Sequence, residues 1–230
     1  MQVLVDYISQ VINFFYTLTA MVGLANYGVA IILFTIVVKV VLFPLTYQQL
    51  KSMQKMQLLQ PKVAEIQKKY KNNPQKAQQA MMELYQKEGV NPFSGCLPLL
   101  VQLPVLYALF AAMRSFFNPV QNPNINLAHA GFLWIANLGV KDPYYILAVL
   151  AGAMTFLQQW VTMRRAGTAG TNDQTQRTML YIMPVFMGYI SSQFPAGLAL
   201  YWAVYSLASA VEQFFVSRPG LELKGEVTSK

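Results

Sequence analysis

The sequence predicts an all-α integral membrane protein: five transmembrane helices, a cytoplasmic helical hairpin and an N-terminal amphipathic helix in the membrane interface. Three observations carry that expectation. The 230-residue chain is 55% hydrophobic and only 11% charged, too apolar for an ordinary water-soluble domain. Its apolar residues gather into stretches of about twenty, the length that crosses roughly 30 Å of hydrocarbon as a helix. Its basic residues fall between those stretches, so the formal charge of +8 points to a membrane face rather than to nucleic acid.

Residues 1–25 form the first element. Leu4, Tyr7, Ile8, Val11, Phe15 and Leu18 repeat at helical spacing opposite Gln2, Asp6, Gln10, Asn13 and Thr17, which predicts a helix lying along the outer membrane surface. A sixth buried helix is the alternative. Asp6 is the only charged group up to Phe15, so the segment lacks the basic start of a signal peptide.

The first span is expected at residues 26–46. Residues 47–92 follow as a polar segment in which Met56, Leu59, Val63, Ile66 and Tyr70 step by three and four, the seam of a coiled coil. Asn72, Asn73 and Pro74 break that helix, and Met81, Leu84 and Tyr85 begin a second apolar stripe. An antiparallel hairpin is the expected result.

The remaining spans are placed at 95–117, 143–163, 178–193 and 197–216, with Pro44, Pro98, Pro104, Pro184 and Pro195 interrupting or bordering them. The hairpin carries eight lysines against Glu65, Glu83 and Glu88, which places it in the cytoplasm by the positive-inside rule. Alternation then puts the loop 164–177 and the tail 217–230 there too, with Arg164, Arg165, Arg177, Arg218, Lys224 and Lys230. Only Arg114 and Lys141 fall at the outer side, where residues 118–142 form the extracytoplasmic loop. The N-terminus is expected outside and the C-terminus in the cytoplasm.

One basic residue, Lys39, lies inside the first span, in the run IILFTIVVKVVLFPL. A charge there costs about 2.5–3.5 kcal/mol on insertion scales. Snorkelling to the nearer, cytoplasmic surface works against the geometry, because helical side chains lean toward the helix N-terminus, which here points outward. A hydrated cavity between spans is the better account. Thr35 lies one turn away on the same face, and Gln102, Gln158, Gln159, Trp202, Tyr205, Ser206 and Ser209 supply polar groups on other spans. Glu212 is the only carboxylate within the spans and sits near the cytoplasmic end of the fifth, so no counter-ion is expected at the depth of Lys39.

Several chemistries find no residues to carry them. The single Cys96 permits neither an intrachain disulfide nor a metal cluster and reads as a small buried apolar residue. The string GLELKGEV has glycines at P-loop spacing, but Glu226 stands where the lysine should follow. His129 has no HExxH partner, and no serine, histidine and acid converge within the spans. Neither an enzyme nor a bound cofactor is expected.

The run VVKVVLFPLTYQQLKSMQKMQLLQPKVAEIQKKYKNNPQKAQQAMMELYQKEGVNPFSGCLPLLVQLPVLYALF resembles the YidC-type membrane protein insertases, related to the mitochondrial oxidase-assembly and chloroplast insertases. So does MPVFMGYISSQFPAGLALYW, and the likeness extends from about Asn26 to Val216. The resemblance implies a five-helix core with a hydrophilic groove, open to cytoplasm and lipid and closed outside, in the bacterial plasma membrane. It implies nascent membrane proteins as substrates, taken alone or beside the Sec translocon, without ATP hydrolysis; ribosome and lipid contacts are further expected partners. Groove-facing roles carry over to Thr35, Lys39, Gln102, Gln158, Trp202 and Tyr205. Most members hold an arginine where this chain has Lys39, which keeps the charge but loses the bidentate guanidinium fork. The lack of a large outer domain in this sequence looks like the Gram-positive form. A small anion transporter or channel with Lys39 lining the path is the alternative, but the sequence shows neither broken helices in repeated halves nor a symmetric pore.

Overall fold

The computed structural model describes residues 2–91, 97–118, 122, 125–165 and 174–216. Cys96, the loop 166–173 and the tail 217–230 lie outside the described residues. Eight α-helices follow in order: α1 (Gln2–Met21), α2 (Tyr27–Leu58), α3 (Gln60–Lys69), α4 (Pro74–Lys87), α5 (Leu97–Phe116), α6 (Ile146–Arg165), α7 (Gln174–Gln193) and α8 (Ala196–Val216). Among the described residues the only β pairing is an isolated bridge between Phe132 and Ile135.

Helix α1 packs on α2 and α5. Ile8 and Ile12 are buried and Val5, Val11 and Phe15 lie against the core, while Tyr7 and Leu18 are exposed beside Val3, Phe14 and Met21. Asp6, Gln10, Asn13 and Thr17 are exposed, as expected of the polar face, and the buried side centres on Ile8 and Ile12 without reaching Tyr7 and Leu18. The apolar arc of α1 is wider than the surface its neighbours cover, so periodicity alone does not choose within it.

Helix α2 runs unbroken through Pro44 and on to Leu58, well past the apolar run. Proline removes a single backbone bond, and the flanking turns together with the helix-favouring stretch after Thr46 carry the helix across it. Asn26 caps the start, accepting from the Gly28 amide at 2.8 Å and donating to the Gly131 carbonyl at 2.8 Å.

Helices α3 and α4 pair antiparallel: Lys62 meets Glu88 at 2.6 Å, and Gln67 approaches Met81 at 4.0 Å. Leu59, Val63 and Ala77 are buried. Asn73 starts α4 by accepting from the Lys76 amide at 3.1 Å, with Pro74 in the first turn.

The other helices form a bundle in which α2, α6 and α8 run one way. Between α6 and α8, Thr155 meets Ser206 and Thr162 meets Gln213, each pair 51 residues apart, a constant offset that defines parallel helices. Between α2 and α8, Phe34 meets Tyr201 and Lys39 meets Tyr205, again with nearly constant offset. Helices α5 and α7 run the other way. The C-terminal end of α5 (Met113, Phe116) touches the starts of α8 and α2. Helix α7 crosses α6 closely at Gly152 and Gly188; a Cβ on Gly152 would lie 2.9 Å from the Pro184 carbonyl oxygen.

Residues 125–145 close the end of the bundle where α2, α6 and α8 begin. Ala130, Ile135 and Leu138 are buried in one cluster with Tyr27, Met113 and Tyr201. The Gly197 amide donates to Leu138 O at 2.8 Å and the Ala196 amide to Val140 O at 2.7 Å. Asp142 fixes the loop, accepting from Trp134 Nε1 at 3.1 Å and from the Tyr144 and Leu147 amides at 3.1 and 2.8 Å.

The outside of the bundle is strongly apolar. Val37, Val40 and Val41 on α2, Val149 and Phe156 on α6, Ile182, Val185 and Phe186 on α7, and Val211, Phe214 and Phe215 on α8 are all exposed. A belt of that extent is the surface of a protein solvated by lipid. Two described helices are long and apolar enough to cross a membrane, Tyr27–Ser52 and Ile146–Arg164, and Leu103–Phe116 is a shorter apolar helix.

Candidate functional site: an ion pair on a polar strip

Where α2, α6 and α8 face one another the interior turns polar. On α8, Trp202, Ser206, Ser209 and Gln213 recur at helical spacing, and on α6, Thr155 and Thr162 lie two turns apart. Trp202 Nε1 donates to Thr155 Oγ1 at 3.2 Å, and Thr155 Oγ1 sits 3.4 Å from Ser206 Oγ. Two turns further along, the Thr162 hydroxyl meets the Gln213 side-chain amide. The strip ties α6 to α8 with hydroxyl, amide and indole groups in place of packed methyls.

Lys39 enters from α2 beside this strip. Its ammonium sits 4.7 Å from the centroid of the Tyr205 ring and is ion-paired with the Glu212 carboxylate. The two side chains are only 7% and 8% exposed. Apart from each other, Lys39 Nζ and both Glu212 oxygens have no hydrogen-bonding partner among the described residues.

This overturns two expectations: that no counter-ion would reach Lys39, and that its ammonium would stand in a hydrated cavity, since protein covers the nitrogen and a carboxylate, not solvent, faces it. The Lys39 ammonium lies over the Tyr205 ring, and Glu212 stands seven residues, about 10 Å, further along α8. The ammonium touches the tyrosine ring and the glutamate carboxylate at once, so two long side chains span that interval between them. Comparing depths by backbone position missed a contact that two long side chains make between them.

The other expected groove residues divide. Tyr205 is half-buried beneath the ammonium, and half-buried Trp202 joins the strip through Thr155. Thr35 is wholly buried, and its hydroxyl donates to Ile31 O of its own helix at 2.7 Å. Gln158 is half-buried, and its backbone carbonyl accepts from Thr162 at 2.8 Å. Gln102 lies in α5, but its side chain falls outside the described residues. Thr155, Thr162 and Gln213 were not singled out from the sequence, and Glu212 was noted there but set aside as a partner for Lys39. The recurrence of 202, 206, 209 and 213 along one face of α8 is the signal that would have found that helix's share.

A lipid-facing exterior, helices of alternating direction, a plugged end and a charge pair beside a polar strip define a class: a polytopic α-helical membrane protein with a polar site inside its helix bundle. The family model described as 60Kd inner membrane protein matches residues 17–222, and the chain belongs to that family. It is 43% identical over 196 residues to the membrane protein insertase YidC of Fusobacterium nucleatum, covering 85% of this chain and 88% of that protein. It is 41% identical over 194 residues to the protein of the same name from Geobacter sulfurreducens, covering 84% of this chain but 34% of the relative. The chain thus spans about a third of the length of several relatives it matches. A crystal structure described as an active YidC insertase with its first transmembrane domain resolved superposes with TM-score 0.70 at 29% identity, over 91% of this chain and 46% of that one. The family and these relatives place the chain in a bacterial membrane.

Proposed function

We propose that the chain is a membrane protein insertase: it lowers the barrier for short polar tails of nascent membrane proteins to cross the bilayer, after which their apolar helices partition into lipid. The observation that carries this reading is a charged group, Lys39, beside a polar strip on α2, α6 and α8 in a bundle whose opposite end is plugged by residues 125–145. A polar site blocked at one end suits transient entry of a tail from the other. It does not suit a permeation path, so the anion-channel alternative is not favoured. The relatives' printed name, membrane protein insertase, agrees.

In this reading α2, α5, α6, α7 and α8 are the five spans, supported by their alternating direction. Helix α1 rests at the outer interface and the lysine-rich α3–α4 hairpin projects into the cytoplasm. Lys39 attracts an acidic tail. The Trp202, Thr155, Ser206, Thr162 and Gln213 groups substitute for some of the water that the tail's polar atoms give up. Burial of the substrate's apolar helix in lipid supplies the free energy, and the membrane potential adds about 2.3 kcal/mol per acidic charge per 100 mV. Gln102, Gln158 and Thr35 are proposed to line the same groove, and the Sec translocon and ribosome are proposed partners.

The test is insertion of a single-span substrate with a short acidic N-terminal tail into vesicles containing the purified chain, read by protease protection. Lys39→Arg should retain insertion, and Lys39→Ala should impair it chiefly for acidic tails. Unchanged insertion of every substrate by Lys39→Ala would remove the electrostatic role.

A further inference from the structure

We propose that Glu212 is a resident counter-ion which an acidic substrate tail must displace from Lys39, so that Glu212 sets how strongly the site prefers carboxylate-bearing tails. The inference rests on the insertase reading above and assigns to that site a regulating residue. Its basis is the ion pair itself: the ammonium is already neutralised, and among the described residues neither partner has another hydrogen bond to hold it. A neutral tail entering the strip meets a closed pair and gains little from it. An acidic tail can exchange one carboxylate for another at the ammonium, keeping the local charge balanced throughout.

Three features favour exchange over permanent closure. Tyr205 holds the ammonium from one side by a cation–π contact at 4.7 Å, so Lys39 keeps its place while its carboxylate partner changes. Glu212 lies four residues before the end of α8, where the helix dipole presents its negative end and disfavours a carboxylate. From that position a rotamer change carries the displaced group toward the helix terminus, away from the plugged end of the bundle. A glutamate buried deeper, with backbone donors around it, would hold its place.

The experiment compares two substrates differing only in an Asp or an Asn in the tail, with the full chain in vesicles and three forms of it: wild type, Glu212→Gln and Glu212→Asp. Glutamine keeps the shape of the side chain and removes its charge. The ratio of Asp-tail to Asn-tail insertion should rise about threefold or more in Glu212→Gln, as the freed ammonium binds the acidic tail without a competitor, with Glu212→Asp between the two. A second measurement does not depend on any variant. Dicyclohexylcarbodiimide adds to the protonated Glu212 carboxyl to give an O-acylisourea; the Lys39 amine, after giving up its extra proton, attacks that carbonyl and releases dicyclohexylurea, leaving a Lys39–Glu212 amide in the resting wild type, detectable by mass spectrometry. Excess Asp-tailed substrate should lower that yield and produce a Lys39–tail amide, whereas the Asn-tailed substrate should do neither. An unchanged Asp/Asn ratio in Glu212→Gln, or a Lys39–Glu212 amide yield indifferent to the acidic substrate, would overturn the displacement role while leaving insertion intact. Failure of the wild type to insert either substrate would overturn the insertase reading and this inference with it.

Discussion

Replacing Lys39 with Met removes the ammonium but keeps an unbranched side chain of similar length, and Glu212→Met does the same for the carboxylate. Each single change strands a charge that is almost wholly covered by protein and, the Tyr205 ring beside Lys39 apart, has no other partner among the described residues. Removing one partner of a buried pair costs about 3–5 kcal/mol, because the survivor keeps its desolvation penalty and loses its compensation. The unfolded reference in a membrane environment also finds polar partners, which pulls the figure to the lower end, about 3 kcal/mol or a hundredfold in the folding equilibrium. The double variant strands nothing and packs two apolar chains together, so it should lie within about 1 kcal/mol of wild type or above it. The two single costs together should therefore exceed the double by about 5 kcal/mol. Reversible unfolding of all four forms in mixed micelles, followed by far-UV circular dichroism, measures that coupling. Costs that simply add, to within about 0.5 kcal/mol, would show that the two groups do not interact and refute the pairing.

Thr155→Val keeps the volume but strands the Trp202 indole N–H; it should cost about 1 kcal/mol in the same unfolding assay and shift the tryptophan emission. Asn73→Ala should cost the hairpin about 1 kcal/mol through loss of the α4 cap, read as faster amide exchange over residues 74–80 with the bundle unaffected. The hydrogen bond from Lys62, reinforced by its charge, holds the Glu88 carboxyl below the ordinary glutamate range. Because the folded value is the lower one, the pair's small contribution is present at neutral pH and is lost as pH falls through that lowered value. Carboxyl carbon shifts across a pH titration should show this, and Lys62→Met should return Glu88 to the ordinary range.

The parts of this fold visible in the sequence were those written in local pattern. The hairpin break at Asn72, Asn73 and Pro74 matches the cap that Asn73 makes, and Leu59 and Val63 of the expected seam are buried. The polar face of α1 was legible, but which part of its wide apolar arc is covered was not, because the neighbours α2 and α5 decide that. The continuation of α2 past Pro44 was hidden for a related reason: a proline signals a lost bond, not whether the flanking turns tolerate the loss. At the site, the lone cation was conspicuous but its partner was not. The 51-residue offset joining α6 to α8 and the meeting of Lys39 with Glu212 are set by how helices lie against each other, which no single helix encodes.

The pair joins the first and last of the proposed spans, and that order limits what it can be for. Lys39 costs α2 about 2.5–3.5 kcal/mol on insertion, while the twelve Ile, Leu, Val and Phe residues from Ile31 to Leu45 return about 4–7 kcal/mol. Helix α2 therefore enters the membrane on its own account, long before α8 is made. Glu212 is then not needed to bring the lysine into the bilayer; it acts only on the finished bundle, as a setting of the site expects. A chain truncated after Gln193, which lacks α8, should still place α2 across the membrane, with Asn26 and the α3–α4 hairpin on opposite sides. Protease mapping and side-specific labelling of a cysteine in each segment, in a background without Cys96, would read this directly. If α2 stayed on one side of the membrane until α8 was restored, the ion pair would be serving the insertion of this chain itself, and its place as a modulator of the polar site would have to be given up.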